Sequence, residues 1–174
     1  MVPTSTPSEH VVLVGLMGTG KTSVGRRVAE RLGRCFVDSD AQVEARTGRT
    51  VRQIFEQEGE VTFRRLESEA LAEALGQPEP VVIGAAGGVV LDPANRARLR
   101  RAQVVWLRAE PAALVSRVAH GDHRPLLGED SLGALEAMAE QRSSLYQEVA
   151  GGREVDVSHR SVDEAVDAVL AVLG

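Results

Sequence analysis

The sequence predicts an α/β fold in which a parallel sheet of five strands is flanked by helices on both faces. Two observations carry this prediction: five short apolar runs alternate with helical patterns, and the first run leads directly into a glycine-rich turn. Such alternation is typical of parallel sheets, because the crossover between parallel strands is usually a helix. The apolar runs are residues 11–14, 35–37, 81–83, 104–107 and 155–157.

The first strand and the first helix enclose a glycine-rich loop. Residues 15–22 have the sequence GLMGTGKT, which matches the GxxxxGK[ST] pattern of phosphate-binding loops. After the loop, Val24, Val28 and Leu32 recur on one helix face, and Gly33 supplies a helix stop. Backbone N–H groups and a helix N-terminus then converge on one point, which favours an anion.

Lys21 is the only lysine among the 20 lysine and arginine residues of the chain. Its compact ammonium suits the narrow space between a loop backbone and phosphate groups better than the planar fork of arginine. We therefore expect a nucleoside triphosphate to bind this loop. The expected nucleotide contacts in the loop are Gly18, Thr19, Gly20, Lys21, Thr22 and Ser23.

The second strand ends in two acidic residues. Cys35 belongs to this strand and is expected to be buried, and the strand ends at Asp38, Ser39 and Asp40. If this segment stays extended, the two carboxylates share one side, where one could hold magnesium-bound water and the other could face a substrate hydroxyl. A pair of solvated turn residues is the alternative interpretation.

The remaining elements are predicted from caps, breakers and periodicity. Residues 51–55 predict a short helix that ends near Gly59, and residues 63–75 predict a longer one that ends at Gly76. Later helices begin at three signals: Asp92 before Pro93, Pro111, and a capping box at Ser161. Residues 120–131 are polar and lack periodicity, which favours a mobile lid.

Composition limits the classes of partner. The 174 residues fit one domain, which we assign to residues 11–174 after a disordered tail at 1–10. The formal net charge of −5 with no polybasic run favours neither nucleic acid nor a membrane surface as partner. A single cysteine and the absence of a long apolar stretch favour the cytoplasm, and we expect a monomer.

Two large classes of nucleotide-binding protein fit poorly. A GTPase needs a guanine-reading Asn-Lys-x-Asp segment, and the only lysine already lies in the phosphate loop. A motor or transport ATPase usually has an acidic residue at the end of its third strand, whereas residues 84–88 here have the sequence GAAGG. Small residues allow a close approach to the backbone, which favours a small acceptor molecule.

Taken together, these segments resemble shikimate kinase in order and spacing, from about Val11 to the C-terminus. No single segment is specific, but the combination is. The segments that carry the resemblance are the phosphate loop, Asp38-Ser39-Asp40, residues 54–67, Gly87-Gly88, Arg124-Pro125-Leu126-Leu127, and Arg142 ahead of Leu145-Tyr146.

The resemblance implies transfer of a phosphoryl group from ATP to the 3-hydroxyl of shikimate, a step towards chorismate and the aromatic amino acids. It implies a three-layer P-loop fold of the nucleoside-monophosphate-kinase type, with a substrate-binding segment at about 38–67 and a lid at about 119–131. Magnesium is the implied cofactor, held by Thr22 and, through water, by Asp38.

The resemblance also implies a role for each matching residue. Lys21, Asp40 and Arg124 match the catalytic positions, and Asp40 is a general base or an orienter of the reacting hydroxyl. Arg64 and Arg142 match a clamp for the substrate carboxylate, and Glu67 lies close enough along the helix to fix Arg64, although Glu60 could compete. The remaining implied contacts are Gly87 and Gly88 for shikimate, and Arg117, Arg124, Arg160 and Val162 for ATP.

One departure keeps alternatives open. The family usually has three consecutive glycines where this chain has Ala86-Gly87-Gly88. A methyl group at Ala86 matters if the residue needs a positive φ or touches the substrate. The alternatives are another small-molecule kinase of this fold, such as a gluconate kinase, and a catalytically idle nucleotide-binding regulator.

Overall fold

The structure is a computed structural model that describes residues 10–119 and 127–174. Its strands are β1 (Val11–Val14), β2 (Phe36–Asp38), β3 (Val82–Gly84), β4 (Gln103–Arg108) and β5 (Glu154–Asp156). They form one five-stranded sheet in the order β2-β3-β1-β4-β5, and every neighbouring pair is parallel. The predicted five-stranded parallel sheet is confirmed.

Helices cover both faces of this sheet, as predicted. Their bounds are α1 (Lys21–Leu32), α2 (Ser39–Thr47), α3 (Val51–Leu75), α4 (Pro93–Leu99), α5 (Pro111–Val118), α6 (Ser131–Ala150) and α7 (Val162–Leu173). The Asp92 cap and the Ser161 capping box are both present. At Gly59, where φ is 81° and ψ is 178°, α3 is interrupted, so its two parts are the two separate helices predicted from the sequence.

The central strand β1 shows how the layers are built. All four of its residues are buried, and successive side chains point to opposite faces of the sheet. Val12 and Val14 join the apolar cluster that includes residues of α3 and α6, whereas Val11 and Leu13 join the cluster that includes residues of α1 and α7. A strand covered on both faces is continuously apolar, which is why it could be recognised in the sequence.

The condition that the segment from Asp38 to Asp40 stays extended is not met. Asp38 ends β2 and caps α2, since its carboxylate accepts a hydrogen bond from the Ala41 backbone N–H at 3.1 Å. The chain therefore turns into a helix at Ser39, and Asp40 lies in the first helical turn. An aspartate that satisfies a free N–H of the first turn is a preferred cap, so the same residue ends the strand and starts the helix.

Two smaller predictions are also corrected. Cys35 is exposed and lies one residue before β2. His10, assigned to the disordered tail, makes two contacts in the sheet: its carbonyl accepts from the Gln103 N–H at 2.8 Å and its Nδ1 accepts from the Val81 N–H at 3.2 Å. The rest of the predicted tail, residues 1–9, lies outside the described residues.

Candidate active site

The phosphate loop joins β1 to α1 at the carboxyl end of the sheet. Gly18 and Gly20 have φ values of 83° and 91°, a backbone conformation that favours glycine. Thr19 is buried, and its hydroxyl donates to the Leu16 carbonyl at 2.8 Å, which fixes the loop from within. The loop is therefore held in a defined shape before any ligand contributes.

Lys21 points back into this loop. Its Nζ donates to the carbonyl oxygens of Gly15 and Leu16 at 2.8 and 2.9 Å. These two carbonyls fix the position of the ammonium at the first turn of α1. A cation held at this place, together with the N-terminal N–H groups of the helix, can bind phosphate oxygens.

Thr22 lies next to the end of β2. Its hydroxyl donates to Asp38 Oδ2 at 2.7 Å, while Asp38 Oδ1 accepts the capping bond from Ala41. A hydroxyl and a carboxylate side by side offer the oxygen ligands that Mg²⁺ prefers. Among the described residues, no group of three or more histidine, cysteine, aspartate or glutamate side chains could hold a metal.

An arginine on α3 lies across the site from the phosphate loop. Arg64 Nη1 donates to both carboxylate oxygens of Glu67, at 3.1 and 3.0 Å, and Nη2 donates to Glu60 at 3.4 Å. The contact between Arg64 and Glu67 that the helix spacing predicted is confirmed. Glu67 is only 2% exposed, and burial raises its pKa to about 7, with Arg64 lowering the pKa and Asp40 raising it.

A second arginine comes from α6. Arg142 is 4% exposed, and its Nε is buried without a hydrogen-bond partner in the part of the chain that the structure describes. Within residues 10–119 and 127–174 it forms no salt bridge either. Glu67 and the Tyr146 hydroxyl interact with its charge, but a buried guanidinium that forms no salt bridge among the described residues still favours an anion that enters the cavity.

The loop after β3 lies between the two arginines. The Gly87 carbonyl accepts a hydrogen bond from the Tyr146 hydroxyl at 2.6 Å, and the Ala86 N–H donates to the Ser39 hydroxyl at 2.9 Å. A Cβ atom on Gly88 would overlap the Arg64 guanidinium, with its Nη2 at only 2.7 Å. Because residue 88 is a glycine, there is room for the Arg64 guanidinium at this place.

Ala86, the departure from three glycines, causes no strain. Among the described residues, no residue other than glycine has a positive φ, so the methyl group of Ala86 does not conflict with the backbone. Its N–H is already bonded to Ser39. The donors left for a ligand in this loop belong to the two glycines that follow.

At the other end of the cavity, Arg117 links three segments. Its Nη2 donates to the carbonyls of Val157 and Ser158 at 3.0 and 3.3 Å, and its Nη1 donates to the Gly18 carbonyl at 3.5 Å. Arg160 and Val162 lie on the same rim, at the start of α7. A flat guanidinium next to an apolar side chain can hold an aromatic ring.

One cavity of about 640 Å³ connects these groups. It brings together every sequence-predicted site residue that the structure describes. These residues are Gly18, Thr19, Gly20, Lys21, Thr22, Ser23, Asp38, Asp40, Arg64, Gly87, Gly88, Arg117, Arg142, Arg160 and Val162. Arg124 and most of the predicted lid, residues 120–126, lie outside the described residues.

A phosphate-binding loop, the buried Arg142 and the half-buried Arg64 in one cavity are what the resemblance implied. A family model described as shikimate kinase matches residues 17–174. The chain belongs to the shikimate kinase family. The family and the kinase fold predicted from the sequence are therefore confirmed.

Similarity to individual members of the shikimate kinase family extends over nearly the whole chain. A shikimate kinase of Symbiobacterium thermophilum is 49% identical over 168 residues, which cover 94% of this chain and 95% of the relative. A solved shikimate kinase of Acinetobacter baumannii, in complex with shikimate, has a TM-score of 0.88 at 37% identity and covers 95% of this chain and 90% of that one. A gluconokinase of Sinorhizobium meliloti 1021, at 24% identity and a TM-score of 0.63 over 95% of this chain and 91% of that one, shares the fold.

Sequence analysis missed two residues of this shikimate kinase site. Ser39 supports the loop after β3 through the Ala86 N–H, and Tyr146 supports it through the Gly87 carbonyl. Ser39 lies between the two predicted acids, and Tyr146 follows Arg142 by one helical turn, so both stood beside residues already singled out. Their partners, however, are 47 and 59 residues away along the chain, and no local pattern reveals them.

Within residues 10–119 and 127–174, no helix combines the length and the apolar character needed to cross a membrane.

Proposed function

We propose that the chain transfers the γ-phosphoryl group of ATP to the 3-hydroxyl of shikimate, giving shikimate 3-phosphate for chorismate and aromatic amino-acid synthesis. The observation that carries this proposal is the buried Arg142, which lacks a salt bridge among the described residues and lines the same cavity as the phosphate loop. A cation of this kind calls for an anionic acceptor, and shikimate is a small carboxylate.

Arg64 and Arg142 form the clamp for that carboxylate. They approach the cavity from α3 and α6. Arg64 Nη1 is held by Glu67, Nη2 makes a longer contact with Glu60, and Nε has no hydrogen-bond partner among the described residues. Charge-assisted bonds from two guanidinium groups are strong and directional. Gly87 and Gly88 offer backbone N–H groups to a substrate hydroxyl, and the lack of a side chain at position 88 leaves room for the Arg64 guanidinium.

Asp40 receives or orients the proton of the reacting hydroxyl. It lies in the first turn of α2, lines the cavity and acts electrostatically on Glu67, which supports a place near the bound acceptor. Lys21 binds the transferring phosphoryl group, whose oxygens gain charge during the reaction. Arg124, from the lid at about 119–131, adds a second cation to those oxygens when the lid closes over the substrate-binding segment at about 38–67.

Mg²⁺ fits the oxygen pair formed by Thr22 and Asp38. Thr22 would bind the ion directly and Asp38 through water, and the ion would supply charge neutralisation at the phosphate oxygens. Asp38 also accepts the N–H of Ala41, so its carboxylate keeps one orientation. Magnesium dependence of activity, with loss of it in Asp38→Asn, tests this assignment.

The adenine ring lies between Arg117 and Val162, and Arg160 borders the same rim. Three carbonyl contacts hold Arg117 in place, while Val162 is 37% exposed and free to cover a ring. The proposal includes a monomer with one kinase domain, residues 11–174, acting in the cytoplasm. Light scattering of the purified chain at assay concentration tests the monomer.

A coupled assay of ADP formation tests the proposed reaction. The purified chain receives ATP and Mg²⁺ with either shikimate or gluconate, a second small carboxylate with several hydroxyl groups. We expect rapid turnover with shikimate and little with gluconate. Preference for gluconate would replace the proposed acceptor, and no turnover with either, despite ATP binding, would favour an idle regulator.

A further inference from the structure

The hydroxyl group of Tyr146 lies at an unusual place for a core tyrosine. The side chain is 1% exposed and its ring lies 5.8 Å from the ring of Trp106, as expected for a residue that fills the core. Yet its hydroxyl reaches the loop after β3 and donates to the Gly87 carbonyl at 2.6 Å. That loop forms part of the cavity wall on which the proposed acceptor would lie.

The planarity of the peptide bond gives this contact a consequence. The carbonyl of Gly87 and the N–H of Gly88 belong to one peptide unit, and in a trans peptide they point in opposite directions. No cis peptide bond occurs in the described chain. Holding the Gly87 oxygen on Tyr146 therefore fixes the direction of the Gly88 N–H, away from Tyr146.

The two glycines need such support because they have no side chains of their own. Glycine has the largest backbone freedom of all residues, so an unsupported pair would sample many orientations. The peptide units before this one are already fixed, because the Ala85 N–H donates to the Leu13 carbonyl, the Ala86 N–H donates to the Ser39 hydroxyl, and the Ala86 carbonyl accepts from the Val89 N–H at 3.1 Å. Tyr146 extends this support by one peptide unit, to the donor nearest Arg64.

Tyr146 also connects this loop to Arg142, which lies one turn earlier on the same face of α6. A Cβ atom on Gly87 would lie 3.5 Å from Arg142 Nη1 and 3.6 Å from the Tyr146 hydroxyl, so all three groups meet at one point. Burial raises the pKa of Tyr146 to about 12, although Arg142 lowers it. The hydroxyl thus stays protonated, and remains a donor, throughout the neutral range.

We propose that the Tyr146 hydroxyl is a positioning group for the acceptor: it holds the Gly87 carbonyl so that the Gly88 N–H and the Arg142 guanidinium present a fixed pair of donors. This inference rests on the proposed function. The ring of Tyr146 packs in the core, whereas its hydroxyl contributes to binding of the acceptor. Nucleotide binding does not depend on Tyr146.

The test uses Tyr146→Phe in the full chain, since this variant keeps the ring and removes only the hydroxyl. We expect the KM for shikimate to rise roughly 5- to 30-fold, as for loss of one buried hydrogen bond, with the KM for ATP unchanged within about twofold. The matched control is Ser143→Ala on the same helix, because the Ser143 hydroxyl donates to the Ala139 carbonyl within α6 and to no other group among the described residues. We expect both KM values of this control to equal those of the wild type.

A second measurement needs no substrate. Nuclear magnetic resonance of the free chain should show the amide signal of Gly88 shifted in Tyr146→Phe and unshifted in Ser143→Ala. If the signal moves but the wild type does not phosphorylate shikimate, the positioning holds and the proposed function fails. An unchanged Gly88 signal, or equal rises in the KM for ATP and for shikimate, would overturn the inference and reduce Tyr146 to a core residue.

Discussion

Replacing Gly88 by alanine offers a sharp test of how the acceptor cavity is built. The added Cβ would overlap the Arg64 guanidinium, with Nη2 at 2.7 Å, closer than real Cβ contacts come. The backbone itself accepts alanine, because φ is −86° and ψ is −1° at Gly88. The strain therefore falls on the flexible end of Arg64, which must leave its place against Glu67.

The expected loss of shikimate affinity follows from the contact that Arg64 loses. A displaced guanidinium no longer contacts the substrate carboxylate, and loss of a charge-assisted contact costs about 2–4 kcal/mol. Shikimate affinity should therefore fall roughly 30- to 1000-fold. ATP affinity should change little, since Gly88 lies on the acceptor side of the cavity.

Isothermal titration of shikimate and of an ATP analogue measures both effects. Gly76→Ala is the matched control, because Gly76 has the same φ of −86° and ψ of −1° but is an exposed helix end outside the cavity. The decisive variant combines Gly88→Ala with Arg64→Ala. Once Arg64 is absent, the alanine at position 88 should cost almost nothing further. Wild-type shikimate affinity in Gly88→Ala, or full additivity in the double variant, would refute the reasoning.

Three further predictions concern single side chains. Lys21→Arg should fold normally and lose most phosphoryl transfer, because the planar fork cannot replace an ammonium held by two carbonyls. A melting curve measures folding and a coupled assay measures turnover. Near-normal turnover would contradict the role of Lys21. Arg142→Ala should weaken shikimate binding roughly 30- to 1000-fold with ATP binding retained; unchanged shikimate titration would show that the clamp is misassigned. Glu67 has a pKa of about 7 in the folded chain and 4.5 as its reference value, so the folded state binds its proton more tightly and stability falls as pH rises. Relative to Glu67→Gln, the wild type should lose about 3 kcal/mol of unfolding free energy between pH 4 and pH 8, and parallel denaturation curves across that range would contradict the raised pKa.

What the sequence could reveal follows from how local each feature is. The phosphate loop and the pair of Arg64 and Glu67 depend on spacings of a few residues, so the chain order itself displays them. The helix that begins at Ser39 was not predicted, because Asp38 both ends the strand and caps the helix. In a motif of three residues, the end of a strand cannot be distinguished from a helix cap. The contacts of Tyr146 and Ser39 with the loop after β3 are set by tertiary packing, which no short window contains.

The place of β1 in the sheet also sets an order of events during synthesis. β1 carries the phosphate loop, but its two hydrogen-bonded neighbours are β3 at Val82–Gly84 and β4 at Gln103–Arg108. A nascent chain that ends before residue 103 contains the whole GxxxxGK[ST] sequence and still leaves one edge of β1 unpaired. Unpaired edges are open to association with other chains. The phosphate-loop sequence is thus not sufficient by itself: the strand that carries it gains its second neighbour only when residues 103–108 have been made.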